Sequence, residues 1–197
     1  MLFYAAFLAL HAPLTAPEIL QRSQKAYDAA RTFEQNVTGE IGGSKGTARI
    51  AFVRPGRLRV GGSTLFGRKY DLLADGKSTW VLNGGSWNPV QNAEMGIATI
   101  TGISAMTGTF VPGTLLRLTS CGLFPETGRS HTVKIETVKG RKFYRLTSAK
   151  PFPETLWIDA TTFFVARTEA DLMGRKSVVT FAPPKVNGTI PASRFQK

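Results

Sequence analysis

Residues 51–60 read AFVRPGRLRV, with Ile50 before them. Ile50, Phe52 and Arg54 alternate with Ala51 and Val53, the two-residue period of a strand. Pro55-Gly56 interrupts it with turn chemistry: proline presets its own φ, and glycine accepts backbone angles that a Cβ forbids. Leu58 and Val60 then alternate with Arg57 and Arg59. The stretch reads as a β-hairpin whose second strand has an apolar face and a cationic face.

The pattern repeats on both sides. Downstream, Tyr70 to Ala74 is a strand, Asp75-Gly76 is a strong hairpin turn, and Ser78 to Leu82 returns. Asn83-Gly84-Gly85 turns again into Trp87 to Val90. Upstream, Glu34 to Val37 is strand-like and Gly42-Gly43 starts a turn. In the last third, Thr132 to Val138 pairs with Lys142 to Thr147 across Lys139-Gly140. Thr155 to Ile158 pairs with Phe163 to Ala170 across Asp159-Ala160-Thr161, and Met173-Gly174 leads into Ser177 to Phe181. Strands spaced about ten residues apart, with turn chemistry between them, pair antiparallel as a long meander.

A helix precedes this run. Thr15 and Glu18 stand at capping-box spacing, with Pro17 in the first turn, where a missing N–H is harmless. Ile19, Leu20, Ser23, Ala26, Tyr27 and Ala30 mark one helical face, predicted to end near Arg31. Residues 92–113, NAEMGIATITGISAMTGTFVPG, are apolar, small and almost uncharged. Gly96, Gly102, Gly108 and Gly113 disfavour a long helix there, so short helices are expected, with Leu115 to Leu118 the best candidate. Such a segment suits a mobile lid over an apolar cavity, or equally a plain helix pair packed on the sheet. The expected fold is mostly β (α+β): a curved antiparallel sheet with helices from the N-terminal and middle segments over one face.

Residues 2–10, LFYAAFLAL, form an uninterrupted apolar run. Extended through Ala12 and Leu14 it falls short of the ~20 residues that span a bilayer. It suits the apolar region of a signal peptide, although no Lys or Arg precedes it and each candidate cleavage site is followed by proline. The expectation is a signal peptide over residues 1–16, one domain over 17–197, and export to the periplasm. No cysteine follows the apolar run to carry a lipid anchor, so the mature chain is expected to be soluble.

Lys and Arg exceed Asp and Glu by 25 to 13, a net charge of +12. The cations are spread singly or in pairs through strand-like stretches, without the runs or aromatic interleaving of a nucleic-acid surface. A surface that meets anionic lipid headgroups, or simple solubility, accounts for them as well. Cys121 is the lone cysteine and His11 and His131 lie far apart, so neither a disulfide nor a metal site is expected. No nucleophile elbow, P-loop or dinucleotide fingerprint is present. Neither the spacing of Cys121 and His131 nor the scattered Glu126, Glu136, Glu154 and Asp159 marks catalysis. The chain reads as a binding protein without a cofactor.

Taken in order, AFVRPGRLRV, LLADGKSTWVLN (72–83), LWIDATTFFVARTEADLMGRKSVVTF (156–181) and NGTIPASRF (187–195), after an opening helix ending at Thr32-Phe33, resemble the outer-membrane lipoprotein carrier family, LolA, and its relatives. The DGK run followed by an apolar-Trp strand is the most specific piece; the middle segment does not match. The resemblance implies a half-open barrel with a helical lid and an apolar interior that takes the acyl chains of a lipoprotein crossing the periplasm. It assigns Arg54 as a latch that holds the lid backbone. It assigns Tyr27, Phe33, Leu58 and Val60 to the lining, Val60 standing where an aromatic is common. Phe52, Trp80 and Leu82 complete the expected lining, although Leu58 and Val60 serve equally as core residues, and Trp80, Trp87 and Trp157 as sheet core. The implied partners are an acylated lipoprotein or lipid, with inner- and outer-membrane transfer proteins, acting on a monomer. A lipid- or lipoprotein-sensing module of the same fold is the alternative; a structural envelope protein would need no cavity.

Overall fold

The computed structural model describes residues 13–64, 67–104, 109–123, 125–148, 154–172 and 174–197. The apolar run at residues 2–10, and with it most of the expected signal peptide, lies outside them. Helix α1 (Ala16–Ala29) starts as the capping spacing predicts. The Glu18 carboxylate accepts bonds from the Thr15 N–H at 2.8 Å and the Thr15 hydroxyl at 2.7 Å. The backbone bond first, then the hydroxyl, hold this carboxyl below its ordinary pKa. The helix ends at Ala29, short of Arg31, because Ala30 turns extended and feeds the first strand.

Six strands follow as a meander: β1 (Thr32–Ile41), β2 (Ser44–Val53), β3 (Arg57–Ser63), β4 (Lys69–Ala74), β5 (Thr79–Asn83) and β6 (Ser86–Val90). Helices α2 (Ala93–Ser104) and α3 (Phe110–Leu115) and a 3-10 turn (Pro125–Gly128) come next. A second meander holds β7 (Thr132–Val138), β8 (Arg141–Ser148), β9 (Glu154–Asp159), β10 (Val165–Leu172) and β11 (Arg175–Phe181). A short β12 (Lys185–Val186) and a 3-10 turn (Ala192–Phe195) close the chain.

All strands join one antiparallel sheet in the order β6-β5-β4-β3-β2-β1-β11-β10-β9-β8-β7, with β12 added beside β1. The sheet is open, with β6 and β7 at its two ends. The chain leaves one edge at β6 and re-enters at the other at β7, so α2 and α3 are carried across the face between. Helix α2 lies over β3 to β6, and α3 meets α1 and packs Phe110 on Phe181 of β11 with ring centroids 6.0 Å apart.

The middle segment corrects one expectation. Leu115 to Leu118 is not the helix: α3 ends at Leu115, and Arg117 has φ 56. Instead α2 runs twelve residues through Gly96 and Gly102. Tertiary burial overrides propensity here, because Ile97 and Ile100 are fully buried and Gly96 brings the helix onto β4. A Cβ at Gly96 would lie 2.4 Å from Leu72 Cδ1.

Cross-strand register fixes which residues face the helices. On this inner face Phe33, Phe52, Leu58, Ala74 and Thr79 form one row, and Gln35, Ile50, Val60, Leu72 and Val81 the next. These rows, the second meander's Leu146, Leu156, Ile158 and Val179, and the helices' apolar sides make the main core. A smaller cluster occupies the outer face, where Phe195 covers Ala51 and Leu73. Arg59 ties that C-terminal segment down, donating to the carbonyls of Arg194 and Gln196 at 3.1 and 3.0 Å while pairing with Asp71.

Candidate functional site

The inner face is the candidate site. Tyr27, Phe33, Phe52, Leu58 and Val60 come together there from α1, β1, β2 and β3, none exposing more than a trace of surface. Tyr27, Phe33 and Phe164 form a ring cluster with centroids 5.0–5.8 Å apart, a favourable edge-on geometry for aromatics. The buried Tyr27 hydroxyl accepts the Val165 N–H at 3.2 Å. Burial pushes its phenol well above the ordinary range.

Trp80 and Leu82 lie on the other face, a correction to the expected lining. Trp80 is paired with Leu73, Leu82 with Asp71, and their neighbour Val81 points inward with Leu72. Trp80 packs in the outer cluster beneath Lys197, whose Nζ stands 3.8 Å from the ring centroid. The reason is pleat parity: once Val60 points inward, Leu72 and Val81 must, and their sequence neighbours cannot. Phe164 was missed because a bulge between Val165 and Arg167 shifts the register of β9 and β10.

Arg54 closes the end of α1. Its Nε donates to the Ala30 carbonyl and its Nη2 to the Tyr27 carbonyl, each at 3.1 Å. Both carbonyls lie at the negative end of the helix dipole, and the Tyr27 carbonyl also accepts the Ala30 N–H at 3.2 Å. The guanidinium also stands 5.4 Å from the Phe52 ring centroid and 3.8 Å from Asp28. The resemblance puts this arginine on the lid backbone; among the described residues its hydrogen bonds go to α1.

Asp28 extends the junction to the cover. It accepts from Arg117 Nε at 3.0 Å, from Arg117 Nη2, and from Gln24 at 3.0 Å. Gln24 also donates to the Thr114 carbonyl of α3 at 3.2 Å. Burial opposes the Asp28 charge, but the bonds from Arg117 and Gln24, and the nearby Arg54, hold its carboxyl below the usual range. Thus Arg54, α1 and the C-terminal end of α3 meet at one carboxylate. Nothing in the sequence links Asp28 to a residue so distant as Arg117, so this part was not legible. Among the described residues no group of His, Cys, Asp and Glu could hold a metal ion, and no helix is long and apolar enough to cross a membrane.

No family model matches the sequence, and no curated protein matches it. Solved structures do. LprF from Mycobacterium bovis aligns with a TM-score of 0.54 at 19% identity, over 89% of this chain and 95% of that one. The lipoprotein LppX of Mycobacterium tuberculosis aligns at 0.54 and 12% identity, over 90% and 100%. MucB in complex with MucA(peri) aligns at 0.52 and 15% identity, over 93% of this chain and 60% of that chain. At such identities the likeness is one of fold. The chain is similar to LprF, LppX and MucB in having the LolA-like architecture, an open antiparallel half-barrel covered by helices.

Proposed function

We propose that this protein is a periplasmic carrier that takes the acyl chains of a lipoprotein or lipid beneath α2 and α3 and moves them toward the outer membrane. The observation that carries this reading is the path of the middle segment. It leaves one sheet edge and rejoins at the other, laying an almost uncharged cover over an apolar face, and none of its described residues pairs in the sheet. A cover of that kind can lift without breaking a single strand ladder.

Burying a CH₂ is worth about 0.8 kcal/mol, so one ordinary acyl chain is worth roughly 10 kcal/mol. Only an apolar interior of similar capacity extracts such cargo, and release requires a second state within a few kcal/mol. In this scheme cargo replaces the contacts that the cover makes with the closely packed inner face. Beyond the large rows the inner face carries the small residues Ala48 opposite Gly62 and Gly39 opposite Gly46, with Tyr70 beside Gly62. Tyr27, Phe33, Phe52, Leu58 and Val60 would line the path, Arg54 would latch it, and no catalytic group is required. Residues 1–16 would direct export.

The runner-up is a lipid- or lipoprotein-sensing module, favoured by one observation: MucB, of the same fold, is seen with a partner, MucA(peri). Native mass spectrometry of protein purified from a membrane-containing lysate is expected to show lipid or lipoprotein adducts. The protein should also solubilise an acylated peptide and hand it to acceptor vesicles. Cargo retained without hand-off favours sensing; absence of adducts together with failure to solubilise the peptide overturns both readings.

A further inference from the structure

Beside α1 the inner face lies open along β7 and β8. Two depressions there, of about 640 and 740 Å³, share Ile135 and Tyr144, and each falls within the ~300–1,000 Å³ typical of small-molecule sites. Ile135 is 57% exposed, uncommon for a large aliphatic residue on the inner face of a sheet, and it sits opposite Tyr144. Leu14, Val133 and Tyr144 also pack on the main core, so the groove floor is continuous with it. Phe163 stacks on Tyr144 with centroids 5.9 Å apart.

The polar side of the groove carries several cations, of which all but one face carboxylates. Arg129 is held by Glu126 and Glu154, and Arg141 by Asp159 at 2.7 Å. Arg22 lies over Phe163 and faces Glu18. Lys142 shares the face of Tyr144 and lines the second depression, and no carboxylate lies within ion-pair distance of it among the described residues. An apolar floor that ends at an uncompensated ammonium complements a hydrocarbon chain that ends in an anion.

We propose that this groove is the portal for an acyl lipid with an anionic head, its chain on Ile135 and Tyr144 and its carboxylate or phosphate on Lys142. The proposal rests on the acyl-carrier reading above. It is tested with the delipidated full-length chain and three fluorescent probes sharing one long alkyl chain, ended by a carboxylate, an alcohol or a primary ammonium. The carboxylate is expected to bind about tenfold more tightly than the alcohol, and the ammonium weakest. Lys142→Gln should bring the carboxylate down to the alcohol's affinity and leave the alcohol unchanged; Lys142→Glu should reverse the order. A diazirine within the alkyl chain should label Ile135 or Tyr144. Equal affinity for all three heads, a preference that survives Lys142→Glu, or labelling elsewhere overturns the portal and leaves the carrier reading standing. Binding of an acidic amphipathic peptide in place of every probe overturns it too. Failure of all three probes and of an acylated peptide removes the carrier reading itself.

Discussion

Arg54 ties the end of β2 to the end of α1 through one planar group, and its side chain is still about a third exposed. Charge-assisted bonds to carbonyls contribute about 1.5–3 kcal/mol each when intact, less where solvent competes. Under the carrier reading Arg54→Leu is expected to lower stability by only about 1–2 kcal/mol in urea titrations, while release of a bound acylated peptide speeds up about tenfold. Unchanged release kinetics would take Arg54 out of the mechanism. Arg54→Lys should behave like Leu, since a single ammonium cannot span both carbonyls. Asp159 provides a separate test. Burial works to raise its pKa, but the N–H of Thr162, the guanidinium of Arg141 and the N–H of Thr161 together hold it lowered. A depressed carboxyl stabilises the fold above its unfolded pKa of about 4 and loses that contribution as pH falls through the native value. Asp159→Asn should therefore cost about 1–3 kcal/mol at neutral pH. The gap to the parent protein should close in acid, as read from denaturant midpoints across pH.

The hairpins were legible because each is fixed locally: alternation gives the strand and a Gly-containing pair gives the turn, as with Asp75-Gly76 between β4 and β5. The helices of the middle segment were not, because what holds them is distant. Gly113 is the clearest case. A Cβ there would lie 2.3 Å from Cys121 Sγ and 3.0 Å from the Cys121 backbone, so only glycine lets α3 seat against that turn. Composition alone counts such a glycine against a helix; packing makes it a requirement. Gly113→Ala is expected to lower stability by about 1–3 kcal/mol in thermal unfolding. Adding Cys121→Ala should recover part of the loss, because the backbone crowding persists. Within the candidate site, the same contrast separates Phe52, Leu58 and Val60, read from alternation around one turn, from Trp80 and Leu82, which needed parity carried across two further strands.

At the scale of the whole molecule, the positive charge is largely built into the scaffold. Arg54 lies against Phe52, Arg57 against Phe195, Arg141 against Phe143, and Arg145 and Arg167 against Trp157, all within 5.7 Å of the ring centroids. Composition counted these cations but could not tell stacked from free. The molecule also has two apolar clusters on opposite faces of one sheet. Phe195→Ala should therefore cost about 3 kcal/mol in denaturant titrations and leave acyl-probe affinity unchanged; a parallel loss of affinity would mean that the two faces are coupled. Finally, among the described strands every neighbouring pair is a hairpin except two, β1 with β11 and β1 with β12. During synthesis the first six strands can zip as they emerge, yet β1 keeps a bare rim of amides and carbonyls until β11 has been made. That rim is an invitation to another nascent chain until the seam between β1 and β11 shuts.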